Sequence, residues 1–553
     1  VKHTNDNVAV PMITLPFSIL PGTTPLFLDY VKRYPDAMRF YPKHYSDLSS
    51  YESQLALLDE RLFVREDLVN ILHRQNKAFQ SPNTVHESID KLLDAHTYAV
   101  VTGQQVGLFG GPLYTVYKAF TAVQLCGWLK DQFPDREFVP VFWLESEDHD
   151  FAEANNASFI NSDNESFTLA YRQDIVEEGL NTGPVGSMRF DDSISELAHQ
   201  LLGHCSPTDF SQDLRILLAS TYTSGSTFTE AFTRYYNQFF GKHGLVFFDS
   251  NDAEVKRLLR PAIMQELETY PAAGEEVIKR SSELEVRYHA QLKPRAINLF
   301  MFHKQGRYAV EPSGRRFWLR GTRKHFEREE LFELAETEPE RFSPNVLLRP
   351  IFQDFLFPTV AYVAGPAEIA YFAQLEPVYR LFQIPMPVIF PRASITLVET
   401  KIQKLFDKYG LPYAAVFEDS KDLYTRLADH GSEAESYEIL QKLKSDLDAV
   451  ASGIESWAPR LPANTQDAAA TTATKLRNIF AIFENRVTKE LQQRDSVMQS
   501  QISKLLTYLL PESNPQERKL NLATFINRYG ENITDTIFKA CVPFPAEHRV
   551  ILL

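Results

Sequence analysis

The run Trp143-Leu-Glu-Ser-Glu-Asp-His-Asp150 sets four carboxylates, Glu145, Glu147, Asp148 and Asp150, around the imidazole of His149. Such a group can bind Mg²⁺ through oxygen, hold an ammonium, or take a proton from an attacking amine. Repulsion among the acids predicts at least one raised pKa, and histidine is the side chain whose ordinary pKa lies nearest neutrality. Glu147, Asp148 and His149 are therefore the candidate catalytic residues. The plain alternative is a solvated acidic loop.

A second segment, from Val101 to Lys118, reads Val-Thr-Gly-Gln-Gln-Val-Gly-Leu-Phe-Gly-Gly-Pro-Leu-Tyr-Thr-Val-Tyr-Lys. Gly103, Gly107, Gly110 and Gly111 would let a ligand approach the backbone and would expose N–H groups to it. The helix expected from about Leu113 would offer its positive end to an anion. Gln104 and Gln105 can each donate and accept, which suits an uncharged polar edge. Thr102, Gly103, Gln104, Gln105, Gly107 and Tyr114 are the binding candidates here. No Gly-Lys-Ser/Thr closes the loop and its spacing departs from Gly-x-Gly-x-x-Gly, so it is neither a P-loop nor a dinucleotide fingerprint. A ligand-free strand-to-helix turn is the alternative.

Three shorter segments add to the set. In Phe342 to Asp354, Arg349 can clamp a carboxylate with Asn345 beside it, or can simply pair with Asp354. Gly365 and Glu368 lie on another strand, glycine turn and helix, where an acid also complements the helix dipole. Arg392 and Ser394 alternate in Phe390-Pro-Arg-Ala-Ser-Ile-Thr396.

These residues need an α/β scaffold. Tyr98 to Thr102, Phe138 to Leu144, Gly244 to Asp249 and Thr359 to Val363 are short apolar or β-branched runs that read as buried strands, and chemistry belongs where such strands end. The spacing divides the chain into a helical lead-in over 1–95 and a first core part over 96–155. An inserted subdomain over 156–240 and a core continuation over 241–294 follow. A β-rich second insertion covers 295–340, and the core closes over 341–400. Beyond it, Tyr437, Leu440, Leu443, Leu447, Val450, Ile454 and Trp457 recur at helical spacing, as do Leu476 through Leu509. Pro459 and Pro462 lie between the two sets. That predicts an antiparallel helical hairpin arm over 401–514, with a compact tail over 515–553.

With 57 basic against 72 acidic residues the net charge is -15, which argues against nucleic acid and anionic membrane as partners. Three scattered cysteines fit neither a disulfide framework nor a zinc ribbon, and are expected to be buried thiols. The residues predict no metal site. No signal-like or membrane-spanning run is present in Val1 to Leu553, so a cytoplasmic location is expected.

Thr102-Gly-Gln-Gln-x-Gly-Leu-Phe-x-Gly-Pro-Leu-Tyr-Thr115, Glu147-Asp-His-Asp150, Gly365-Pro-x-Glu-Ile-Ala-Tyr371, Pro391-Arg-x-Ser-x-Thr396 and Pro515-Gln-Glu-Arg518 together resemble the bacillithiol synthase family. The resemblance runs from about residue 15 to the end. It implies a Rossmann-like core related to the class I aminoacyl-tRNA synthetases, two inserted connecting subdomains, and a coiled-coil arm that makes a homodimer. It also implies a ligase that joins cysteine to the amine of glucosaminyl malate. The synthetase His-Ile-Gly-His position reads Gly103-Gln-Gln-Val-Gly107, and no lysine-rich partner loop appears, so ATP use is left open. Two other readings compete: a nucleotide-binding hydrolase or nucleotidyltransferase of the same architecture, and a non-catalytic dimeric scaffold.

Overall fold

A computed structural model of the chain describes residues 12–417, 423, 434–494, 496–544 and 546–553. They fall into two compact units. One holds the described residues up to Thr396 together with Gln516–Ile551; the other holds Leu397–Pro515 and Leu552–Leu553.

The heart of the first unit is a five-stranded sheet. In chain order its strands are β1 (Thr97–Gln104), β2 (Glu137–Leu144), β3 (Val246–Asp249), β4 (Thr359–Ala364) and β5 (Val388–Pro391). They lie in the order β5-β4-β1-β2-β3, and every neighbouring pair is parallel. A parallel sheet is covered on both faces, which is why β1 and β2 are almost unbroken buried runs rather than alternating ones. Helix α1 (Leu113–Gln132) follows the glycine segment and packs on β1 and β2. Helix α2 (Arg349–Leu356) precedes β4, and α3 (Pro366–Phe372) follows it. This is the Rossmann strand order 3-2-1-4-5-6 without its last strand. The chain leaves β1 toward β2 and β3, and later returns to the other side of β1 with β4, so the switch point lies between β1 and β4.

The first insertion pairs Asn156–Ile160 with Ser166–Ala170 and continues in helices, among them Phe228–Phe240. The second is an antiparallel sheet built on Leu299–His303, Gly306–Ser313, Arg316–Leu319 and His325–Phe326. Phe342–Pro344 completes that sheet by pairing with Leu299–Met301, so the insertion extends past the boundary at 340 that spacing suggests. Gln75, which reads as a solvent-facing helix position, is buried: it donates to the Asp249 carbonyl at 3.0 Å and accepts from the Asp249 amide at 2.9 Å.

Residues 516–551 are not a tail. Their strand His548–Leu552 pairs antiparallel with Met12–Leu15, and Asn521 donates to the carbonyls of Phe109 and Gly111 at 2.9 and 2.8 Å.

In the second unit α4 (Ala434–Trp457), α5 (Ala463–Arg494) and α6 (Ser496–Leu509) are the arm, with a tight turn at Ala458–Arg460. Lys444 pairs with Glu484, and Glu455 with Arg477, so α4 and α5 run antiparallel. Tyr437, Leu440, Ala473 and Leu491 are buried, while Leu443, Val450, Trp457 and Phe483 are exposed. The side chain of Met498 lies outside the description. Among the described residues no helix is long and apolar enough to cross a membrane.

Candidate active site

The strands β1, β2, β4 and β5 end on one edge, at Gln104, Leu144, Ala364 and Pro391, and the residues that follow them enclose a cleft of about 630 Å³. Its floor comes from the glycine segment and α1. Gly103 packs so close to β2 that a Cβ there would lie 3.0 Å from the Trp143 carbonyl. Lys118, buried one turn into α1, donates its Nζ to the Gly103 carbonyl at 2.7 Å and to Gln104 Oε1 at 3.2 Å, and pairs with Glu368 at 2.5 Å. Gln104 donates to the Tyr114 hydroxyl at 3.1 Å.

The acid run forms one wall, and its members have different surroundings. Glu147 is buried against the Lys256 ammonium. Asp148 accepts from the Gln105 amide and from the His149 backbone at 2.7 Å, and Arg307 stands 3.6 Å away. Burial alone would raise the Asp148 carboxyl, but His149, Arg307 and Gln105 outweigh it and hold it well below the usual carboxylate range. His149 Nδ1 lies 3.3 Å from Asp148 Oδ1. Glu145 pairs with Arg349 Nε at 3.0 Å, and burial pushes it up to about 7 despite that guanidinium. One acid of the run is thus raised, chiefly by burial rather than repulsion.

The opposite wall is built on α2 and α3. Asn345 accepts from the Leu347 and Leu348 amides at 2.9 and 3.2 Å, which holds the entry to α2. Arg349 turns to Glu145, Gln353 and the hydroxyls of Tyr362 and Tyr371, and not to Asp354. Glu368 accepts from the Gly365 amide at 2.7 Å and the Tyr362 hydroxyl at 2.6 Å, so it caps α3 as well as pairing with Lys118. Arg392 is locked from behind by Glu517 at 2.7 Å, and its guanidinium lies 5.5 Å from the Tyr114 ring centroid.

Of the described residues lining the cleft, seven are Lys or Arg and five are Asp or Glu, which reverses locally the sign of the whole chain. Lys293 and Arg518 line it with no ion-pair or hydrogen-bond partner among the described residues. Among those residues, no three His, Cys, Asp or Glu side chains are grouped to hold a metal ion. Cys126, Cys205 and Cys541 are free and buried, and burial pushes all three thiols up.

The structure brings Gly103, Gln104, Gln105, Tyr114, Glu147, Asp148, His149, Asn345, Arg349, Gly365, Glu368 and Arg392 to this one cleft. Thr102, Gly107 and Ser394 stand behind its wall. The Thr102 hydroxyl donates to the Val363 carbonyl at 2.9 Å and ties β1 to β4. Ser394 bonds Glu517 at 3.1 Å and the His548 ring at 2.8 Å.

The amides of Gly107, Gly110 and Gly111 are bonded within the protein. Gly107 N–H bonds the Gln105 carbonyl, Gly110 N–H the Tyr222 hydroxyl at 2.8 Å, and the first amide of α1, at Leu113, the Leu520 carbonyl at 2.9 Å. The positive φ of Gly110 (+88°) and the Tyr235 ring, 2.8 Å from where a Cβ would be, explain the glycine by packing. Lys118, Lys293, Arg307 and Arg518 were missed in the sequence reading as site members. Lys118 closes the glycine segment and Arg518 the Pro515–Arg518 motif, whereas Lys293 and Arg307 lie in none of the quoted segments.

Two family models match. "Bacillithiol biosynthesis BshC, N-terminal Rossmann-like domain" covers residues 13–393, and "Bacillithiol biosynthesis BshC, C-terminal coiled-coil domain" covers 395–553. Relatives named "Putative cysteine ligase BshC" include one from Chlorobaculum tepidum, 34% identical over 96% of this chain and 97% of that one. A second, from Salinibacter ruber, is 36% identical over 95% and 96%. A third, from Koribacter versatilis, is 34% identical over 97% and 99%. With the Rossmann-like sheet, the helical arm and near-complete coverage in agreement, the chain belongs to the bacillithiol biosynthesis BshC family.

Proposed function

We propose that this protein is a cytoplasmic ligase that joins the carboxylate of cysteine to the amine of glucosaminyl malate, the last step in making bacillithiol, in the cleft beyond β1, β2 and β4. The observation that carries the reading is the ion inventory of that cleft. Lys293 and Arg518 are free to meet carboxylate groups, while Glu145, Asp148 and Glu153 can meet an amine. An amino acid and an amino sugar bearing malate need both kinds of partner. Membership of a family whose relatives bear the cysteine ligase name supports the same chemistry.

Glu147, Asp148 and His149 are proposed to serve the amine side of the reaction. Joining a free carboxylate to an amine in water is uphill, so activation is required, and ATP is the co-substrate to test. The Gly107, Gly110 and Gly111 amides are bonded within the protein, which counts against a triphosphate held by those three groups. That closed loop also counts against the hydrolase or nucleotidyltransferase reading. The arm is proposed to pair two copies of the chain through the face that carries Leu443, Val450, Trp457 and Phe483.

The test is incubation of the purified protein with cysteine and glucosaminyl malate, with and without ATP, followed by mass spectrometry. A product at the summed mass less one water is expected. Nucleotide turnover without that product would support the competing enzyme reading.

A further inference from the structure

The carboxyls around the cleft differ in what their oxygens already hold. Glu147 is engaged by the buried Lys256, and Asp148 by Gln105 and the His149 amide, with Arg307 nearby. Glu368 is engaged by Lys118, Tyr362 and the Gly365 amide. Glu153 is exposed at the rim. Glu145 is set differently. Its Oε1 meets Arg349 Nε at 3.0 Å, its Oε2 has no donor among the described residues, and the side chain keeps 27% of its surface open where it lines the cleft. It also adjoins the glycine segment: Oε1 lies 3.5 Å from the point where a side chain on Gly103 would begin.

We infer that Glu145, rather than Asp148 or His149, is the proton acceptor for the amine substrate in this cleft, an inference that rests on the ligase reading. An alkylammonium has no lone pair with which to attack. One N–H bond breaks, the proton passes to Glu145 Oε2, and an ammonium–carboxylate pair becomes an amine and a carboxylic acid with no net change in charge. The amine then holds the electron pair for the new bond to carbon.

The acidity of Glu145 supports the role. Burial raises it, Arg349 opposes that, and Asp148, Glu147 and Glu368 add to the rise, which leaves it at about 7. Arg307 and Tyr371 also face it. A base with a pKa near the working pH is present as carboxylate and gains a proton readily, which is the compromise general bases need.

The experiment compares wild type with Glu145→Gln and Glu145→Asp. In wild type, kcat/KM should rise with pH through a limb near 7. Glu145→Gln should lose about 10²-fold and the limb with it. Glu145→Asp should recover part of the rate and keep a limb, which a merely structural role would not predict. Unfolding temperatures of both variants show whether either fails to fold, in which case the aspartate variant decides. Carbon-detected NMR of glutamate-labelled protein provides a readout independent of turnover: one carboxyl should titrate near pH 7 in wild type and be missing from Glu145→Gln. Wild-type rates with an unchanged limb in folded Glu145→Gln, or no carboxyl titrating near pH 7, would overturn the inference. A wild type that makes no amide but shows that carboxyl would instead sink the ligase reading.

Discussion

Glu145 and Asp148 share one loop, yet their surroundings drive their acidities in opposite directions. The difference lies in donors. Asp148 is stabilised as a carboxylate by three neighbours, which suits it to hold a cationic or hydrogen-bonding substrate group and disqualifies it from taking protons at neutral pH. Asp148→Asn should therefore lower kcat/KM roughly 10- to 100-fold, the scale of losing hydrogen bonds to a charged group. Because Asp148 repels charge on Glu145, the same variant should move the acid limb to lower pH. A pH–rate profile reads both effects; full activity with a limb that stays put or moves up would refute this division of labour. The run was visible in the sequence as a place for chemistry. Which of its acids is free was not, because Lys256, the partner that occupies Glu147, lies 109 residues further along.

Among the elements, the strands were the most legible part, since a parallel strand covered on both faces leaves an unbroken apolar run such as Phe138 to Leu144. The glycine loop was the least legible. Gly110 and Gly111 look like part of a ligand cradle until Tyr222, Tyr235 and Asn521, all distant in sequence, are found packed and bonded there, whereas Gly103 does line the cleft. The segment after the arm reads as a tail in sequence for the same reason. Its Glu517 accepts from Arg392, Ser394 and the Ile395 amide, and the neutral His548 bridges the hydroxyls of Ser394 and Thr396. Burial, opposed by Glu517, lowers His548 to about 4, against about 6.5 in an unfolded chain. Between those values the unfolded chain binds a proton that the folded one does not. The stability His548 contributes is therefore complete above about pH 6.5 and lost as pH falls toward 4. By pH 5 the loss should be about 2 kcal/mol. Thermal unfolding at pH 7 and 5 should show a smaller drop for His548→Gln than for wild type; equal drops would mean that His548 does not titrate as a buried neutral ring.

For the molecule as a whole, charge and apolar surface each carry a message that composition hides. A chain of net charge -15 gathers seven Lys and Arg residues against five acids at one cleft, so the local field there is opposite in sign to the global one. The arm buries one face between α4 and α5 and leaves Leu443, Val450 and Trp457 exposed, more apolar surface than an isolated hairpin needs. The combined change Leu443→Asp, Leu447→Asp and Val450→Asp should turn a dimer into a monomer by light scattering, while a variant that stays dimeric would place the contact elsewhere. If the protein is the proposed ligase, one amide bond forms between two particular atoms. Cysteine labelled with ¹³C at its carboxyl and glucosaminyl malate labelled with ¹⁵N at its amine test it most directly. The product's carbon signal should be split by a one-bond ¹³C–¹⁵N coupling, and that product should form only when active protein is present. Complete consumption of nucleotide with no coupled carbon would contradict it.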